Sequence, residues 1–297
     1  MAETVGWFAM AHAPQVMIDP DRWPMINMPK PTEPLAAELL NMSLETKWER
    51  WNRITAAIDQ VRERIEELAP DTVIVVGDDQ HENVQDNNCP PFLIFTGADA
   101  DASSSLKYIG ETPEQNRAHY KVDADLAGWL VEDLMESGFD PGYAKHTTHY
   151  MGLGHAFARV LRRLTPNANF DILPIMVNTY YPPAPSAKRC AQFGRALADS
   201  IARYSESRRV VIVGSGGLSH TRIDVDLDRA FIKAMEHNDQ SFMEALPSAE
   251  LVDGTSEIRC WVVTAAAADR PVGTVEYQPL PRVPTGAGVG MGVASWV

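Results

Sequence analysis

In Val210-Val211-Ile212-Val213-Gly214-Ser215-Gly216-Gly217-Leu218-Ser219-His220, four β-branched residues run into small ones and then a histidine. An unbroken β-branched run without polar alternation composes a short strand buried on both faces, as in a parallel sheet covered by helices. The glycines then turn the backbone tightly, so the imidazole of His220 stands just past the strand's C-terminal end. That is where α/β sheets place their active sites. Three familiar glycine motifs do not fit. A nucleophile elbow around Ser215 needs glycine at 213, which is Val. A dinucleotide fingerprint from Gly214 needs Gly or Ala at 219, where Ser stands, and an amphipathic helix after it, but Thr221-Arg222-Ile223-Asp224-Val225-Asp226 is not that helix. No Gly-Lys-Ser/Thr phosphate loop occurs in the chain.

Other apolar runs end in the same way. Gly6-Trp7-Phe8-Ala9-Met10 leads into Ala11-His12-Ala13-Pro14, which puts His12 at the lip of a first strand. Thr72-Val73-Ile74-Val75-Val76 leads into Gly77-Asp78-Asp79-Gln80-His81-Glu82-Asn83, a dense polar cluster. Between them Ser43 caps a helix whose apolar stripe is Trp51, Ile54, Ile58, Val61, Ile65 and Leu68, ended by Pro70. Strand, helix, strand is the signature of a crossover in a parallel sheet. The fold class expected is therefore α/β: a single catalytic domain over residues 1–297, with a mostly parallel central sheet flanked by helices and the active site at the strands' C-terminal ends.

Residues 18–42 read as a partly helical excursion over the surface or the active-site mouth. Pro90 to Phe95 reads as an antiparallel edge strand and 97–120 as loop. Val122 to Ser137 is amphipathic, with Leu126, Trp129, Leu130, Leu134 and Met135 inward. The stretch from His146 to Phe157 is the most histidine-rich, and Gly152-Leu153-Gly154 before His155 suits a loop closing over a small substrate. Ile172 to Asn178 is a further strand. Ser186 opens a helix with Cys190, Phe193, Leu197 and Ile201 inward, and Asp228 to Met243 is helical by period. Glu257 opens a largely apolar helix, where a carboxylate is favoured by the macrodipole whatever else it does. Gly286 to Gly292 is flexible in composition, while Trp296 points to a tail that folds back.

Composition sets outer limits. A hydrophobic content of 45% with 22% charged residues belongs to a globular protein. The formal net charge of −14, with no basic cluster longer than two arginines, excludes nucleic acid and anionic membrane as main partners. Cys89, Cys190 and Cys260 lack zinc-knuckle or disulfide spacing, and no apolar run approaches membrane-spanning length, so a cytoplasmic protein is expected. A homo-oligomer is expected as well.

Two lip histidines, a polar cluster and a helix-opening carboxylate suggest a mononuclear metal with open positions, the logic of a non-haem Fe(II) oxygenase site. Ala11-His12-Ala13-Pro14, Val76-Gly77-Asp78-Asp79-Gln80, Gly214 to His220 and Gly254-Thr255-Ser256-Glu257-Ile258-Arg259 resemble, in order and spacing, the class III extradiol ring-cleavage dioxygenases. The likeness is to the catalytic β-subunit of protocatechuate 4,5-dioxygenase and, more closely, to the single-chain 3-O-methylgallate type. The resemblance implies Fe(II) held by His12 and Glu257, His220 as acid/base, and His155 as a second active-site histidine. It implies a small aromatic diol and O2 as substrates. The family's second metal histidine falls on Gln80, leaving three candidates for the third ligand: Gln80 through its carbonyl oxygen, His81 or Glu82. For an anionic substrate, Lys188, Arg189 and Arg259 are candidate anchors. Two other readings are a catalytically silent, Memo-like binding module, which Gln80 keeps open, and a zinc hydrolase using the same lip residues.

Overall fold

A computed structural model describes residues 1–26, 36–166, 169–281 and 287–297. In chain order the strands and helices are β1 (Glu3–Met10), α1 (Ala37–Leu40), α2 (Leu44–Leu68), β2 (Thr72–Gly77), β3 (Phe92–Phe95), β4 (Asp99–Ser103), β5 (Arg117–Lys121), α3 (Ala124–Glu136) and β6 (Gly142–Ala144). There follow α4 (His155–Leu164), β7 (Asp171–Val177), α5 (Ala187–Arg203), β8 (Arg209–Ser215), β9 (His220–Thr221), α6 (Val225–Glu236), α7 (Gln240–Glu244), α8 (Ile258–Ala268), β10 (Thr274–Pro281) and β11 (Gly288–Ser295).

The main sheet runs β10-β11-β1-β8-β2-β7-β3-β6, with β9 on β11. Its centre, β1-β8-β2-β7, is parallel. The register pairs Met10 with Ser215, Val76 with Gly214 and Gly77 with Met176, so all four central strands end along one edge. Antiparallel strands extend this core on both sides: β11 on β1, and β3 on β7. Along each central strand alternate residues go to opposite faces, and both faces are buried. Ile74, Val210 and Ile212 pack with α3, α5 and α8, whereas Val73, Val75, Val211 and Val213 pack with α2 and α4. Each such side chain, fully out of water, contributes about 1.5–3 kcal/mol.

Ser43 caps α2 as expected, accepting the Thr46 N–H, and Asp123 caps α3 by accepting that of Leu126. Five expectations are corrected. Residues 97–120 are not plain loop, because β4 and β5 form an antiparallel hairpin. The edge of the sheet is β6, which pairs beyond β3. Met135 faces solvent at the end of α3, and the period from Asp228 to Met243 is broken at Asn238, which adopts a left-handed φ of 51° between α6 and α7. Residues 288–292 are not a flexible tail but most of β11, a fully buried strand between β1 and β10. Its alternating glycines are required by close approach: a Cβ on Gly290 would lie 2.1 Å from the Asp228 carboxylate, and one on Gly292 2.8 Å from Trp261. Trp296 does fold back, donating its backbone N–H to the Trp7 carbonyl. The proposed excursion over 18–42 contains a 3-10 turn at Pro20–Met25 and the short α1, and a further 3-10 turn at Pro14–Met17 precedes it. Residues 27–35 and Gly286 lie outside the described residues.

Candidate metal centre and active-site cavity

The aligned strand ends bring together residues far apart in sequence. His12 follows β1, Asp78 and Gln80 follow β2, Tyr180 follows β7, His220 forms β9 and Glu257 precedes α8. His12, Asp78 and Glu257 are buried, each offering one ligand atom, and these atoms lie within 4.8 Å of one another. The Nε2 of His12 is 3.5 Å from Glu257 Oε2 and 3.8 Å from Asp78 Oδ1. Gln80 joins the group through its amide, 3.2 Å from Asp78 Oδ2 and 3.5 Å from Glu257 Oε1.

Each member is held by the fold. The Ser215 hydroxyl donates to the Ala156 carbonyl at 2.6 Å, so its oxygen accepts from His12 Nδ1–H at 3.0 Å. The Nε2 of His12 therefore keeps its lone pair and turns it toward the two carboxylates. Glu257 accepts the Gly217 N–H at 2.9 Å on Oε2 and the Tyr180 hydroxyl at 3.1 Å on Oε1. The glycines of Gly214 to His220 serve this carboxylate, since a Cβ on Gly216 would stand 2.8 Å from Glu257 Cβ. His220 is fixed by reciprocal bonds between its backbone and the Thr255 hydroxyl, and its Nε2 is 3.6 Å from Glu257 Oε1.

Burial pushes the His12 pKa down despite the opposing pull of Glu257, which favours the neutral, ligating imidazole. Burial opposes the charge of Glu257, but His12, His220 and the Gly217 N–H outweigh it and hold the carboxyl below the usual range. Asp78 goes the other way: burial, reinforced by Glu257, raises its pKa well above normal. Its Oδ1 is buried without a hydrogen-bond partner. Two carboxylates crowded in a buried site, an orphaned carboxylate oxygen and an imidazole lone pair beside them form a donor set that fits a divalent cation.

His155 begins α4. Glu82 accepts both its backbone N–H, at 3.1 Å, and its Nδ1–H, at 2.9 Å. Gly154 makes this possible, because a Cβ there would be 2.3 Å from Glu82 Oε2. Thus Gly152-Leu153-Gly154 is not a closing loop but the entry to a helix capped by a carboxylate. Burial lowers the His155 pKa, but Glu82 more than offsets this and the net direction is upward. The ring stands edge-on to His12, with centroids 4.9 Å apart.

A cavity of about 340 Å³ opens onto the cluster, lined by His12, Gln80, His155, Tyr180, His220 and Glu257 among others. Of the third-ligand candidates, only Gln80 reaches the cluster. His81 stacks on Tyr181 with its Nε2 3.0 Å from Asp86, and Glu82 is engaged by His155. Asp78, not singled out from sequence, is the second carboxylate. The suggested anion anchors are corrected too. Arg259 is buried and bonded to the carbonyls of Pro185, Thr179 and Leu251, while Arg189 lies over the Phe139 ring. Neither lines the cavity, nor does exposed Lys188. The arginine that does is Arg159, one turn past His155 on α4. An Arg placed i+4 from a candidate histidine shares its helix face, a spacing signal available in the sequence.

Residues 38–271, well over half of the chain, match the family described as the catalytic LigB subunit of aromatic ring-opening dioxygenase. The chain belongs to the LigB family. Among the relatives of this LigB-family chain are proteins named 2,3-dihydroxyphenylpropionate/2,3-dihydroxicinnamic acid 1,2-dioxygenase. That of Mycolicibacterium smegmatis is 31% identical over 66% of this chain and 54% of its own length; that of a Rhodococcus species is 28% identical over 76% and 66%. The chain thus spans about half to two thirds of the length of these curated relatives. The LigB-family chain also resembles the crystal structure of an uncharacterized Escherichia coli K12 protein. The TM-score is 0.51 at 14% identity, covering 81% of this chain and 91% of the other, a likeness of fold alone.

Proposed function

We propose that this protein is an Fe(II)-dependent extradiol dioxygenase that opens the ring of a catechol-type substrate, of the protocatechuate, gallate or methylgallate kind, with O2. The carrying observation is the buried cluster of His12, Asp78 and Glu257 with Gln80 beside it, facing a cavity whose other polar walls include His155 and His220. In this reading His12, Glu257 and Asp78 hold the metal and Gln80 sits at its side, so one imidazole and two carboxylates replace the commoner two-histidine, one-carboxylate set. Iron(II), when bound, supplies Lewis acidity toward the diol and one-electron chemistry toward O2.

The chain's own groups divide the remaining work. His220 takes the diol proton at Nε2, an acid/base task suited to an imidazole whose ordinary pKa is roughly 6.5. His155, whose pKa Glu82 raises and whose Nδ1–H it accepts, stands to donate to the oxygen side of the substrate. Tyr180 holds Glu257 in place. One catalytic domain in a homo-oligomer is proposed for the assembly. A cytoplasmic location is supported by three free cysteines; among the described residues no helix is long and apolar enough to cross a membrane.

The test is oxygen uptake by anaerobically iron-loaded protein with catechol, protocatechuate, gallate, 3-O-methylgallate and 2,3-dihydroxyphenylpropionate. Uptake with loss of the diol chromophore is expected for at least one. Silence with every diol at stoichiometric iron would overturn the assignment and favour the binding-module reading.

A further inference from the structure

Arg159 is 7% exposed and lines the active-site cavity. Its Nη1 donates to the His12 carbonyl at 3.1 Å, its Nε has no hydrogen-bond partner, and among the described residues no carboxylate oxygen lies within 4.0 Å of it. A buried guanidinium without an ion-pair partner is strongly disfavoured unless a counter-ion completes it. The nearby acids are already engaged. Glu82 is bound by His155, and Asp78 and Glu257 belong to the metal cluster. Ser105, 6% exposed, lines the same cavity with its hydroxyl also unpartnered, and Lys107 stands exposed on the same wall. Both come from the segment just after β4, beside α4.

We propose that Ser105, Lys107 and Arg159 form an anion subsite that receives the carboxylate of an aromatic ligand and selects carboxylated diols over neutral ones. Arg159 supplies the buried charge and Ser105 a short-range donor. Lys107 adds a mobile ammonium at the mouth, the usual contrast between a fixed guanidinium and a flexible lysine. The identity of the ring rests on the dioxygenase reading, but the charge recognition does not.

The experiment is calorimetric binding of catechol, 3,4-dihydroxybenzoate, 2,3-dihydroxyphenylpropionate and benzoate to the iron-loaded protein under anaerobic conditions. It is repeated with Arg159→Gln, Arg159→Lys and Ser105→Ala. The wild type should prefer at least one carboxylated diol to catechol. Arg159→Gln should weaken that ligand about 10- to 100-fold, the range of a charged hydrogen bond, while changing catechol less than about threefold. Arg159→Lys should recover part of the loss. Ser105→Ala should cost the same ligands a smaller factor, and it serves if Arg159→Gln does not fold. Equal weakening of catechol and the carboxylated ligands, or no carboxylate preference in the wild type, overturns the subsite. If no diol drives oxygen uptake, yet benzoate binds and Arg159→Gln abolishes that binding, the subsite stands and the dioxygenase reading falls.

Discussion

Ser215 Oγ lies 3.0 Å from His12 Nδ1 and, by donating to Ala156, leaves itself only as an acceptor for that ring. The hydroxyl thereby selects the imidazole tautomer whose Nε2 can bind a metal. Ser215→Ala should leave the fold in place and weaken Fe(II) binding about 10- to 100-fold, as for other partners of metal-ligating histidines. Equilibrium dialysis under anaerobic conditions measures this; unchanged affinity would mean that the tautomer needs no such help.

The ligand set itself divides cleanly by substitution. The His12→Ala, Glu257→Ala double variant should retain no stoichiometric iron, and Asp78→Ala should lose most of it. Gln80→Ala should weaken iron by less than about tenfold, because a neutral amide is a poorer partner for Fe(II) than imidazole or carboxylate. Metal analysis showing the reverse order for Asp78 and Gln80 would return the third position to Gln80.

His220→Ala separates acid/base work from ligation. Iron content should stay near one per chain while turnover falls about 10²- to 10⁴-fold. Both are read on one sample: emptied protein would make His220 a ligand, and undiminished turnover would remove it from the chemistry.

Glu82 and His155 predict a pH dependence of stability. Burial opposes ionisation of Glu82, but the charge and N–H groups of His155 bring its pKa from 4.5 down to about 2. A depressed carboxyl stabilises the fold fully above its unfolded value and loses that contribution as pH falls toward about 2. The His155 pKa is raised from 6.5, so its share is full below that value and disappears as pH rises through the folded pKa. The pair therefore helps most between about pH 4.5 and 6.5, where the fall in the Glu82 pKa is worth about 3 kcal/mol. In urea titrations across pH, Glu82→Gln should lower stability in that window and flatten the loss on its acid side. Parallel curves for variant and wild type would sink the assignment.

The central strands and their ends were legible because burial on both faces demands unbroken apolar runs, and those runs stop where His12, the Asp78 to Glu82 lip and His220 begin. What escaped notice has physical reasons. The β4–β5 hairpin alternates alanines with charged or polar residues, so its half-buried face carries little hydrophobic signal. The alternating glycines of β11 read as flexibility, yet they are gaps into which Asp228 and Trp261 fit. Asp78 was visible only as one of several acids, and which of them turns inward is decided by the pleat of β2 and by Asp79 accepting the backbone N–H groups of Glu82, Asn83 and Val84. Arg159 carries only its i+4 spacing from His155 as a sign, and it is the packing of α4 that brings it to the cavity.

The position of β11 has a consequence for the order of events in synthesis. This strand pairs with β1, which leads to His12, and Val289 pairs with His220 itself. The wall behind His220 therefore waits until the chain has been made through Val289, long after His12. The chain thus carries every proposed ligand before it can enclose them, and deleting β11 would leave all of those ligands in place while removing the Val289 wall that makes them one pocket.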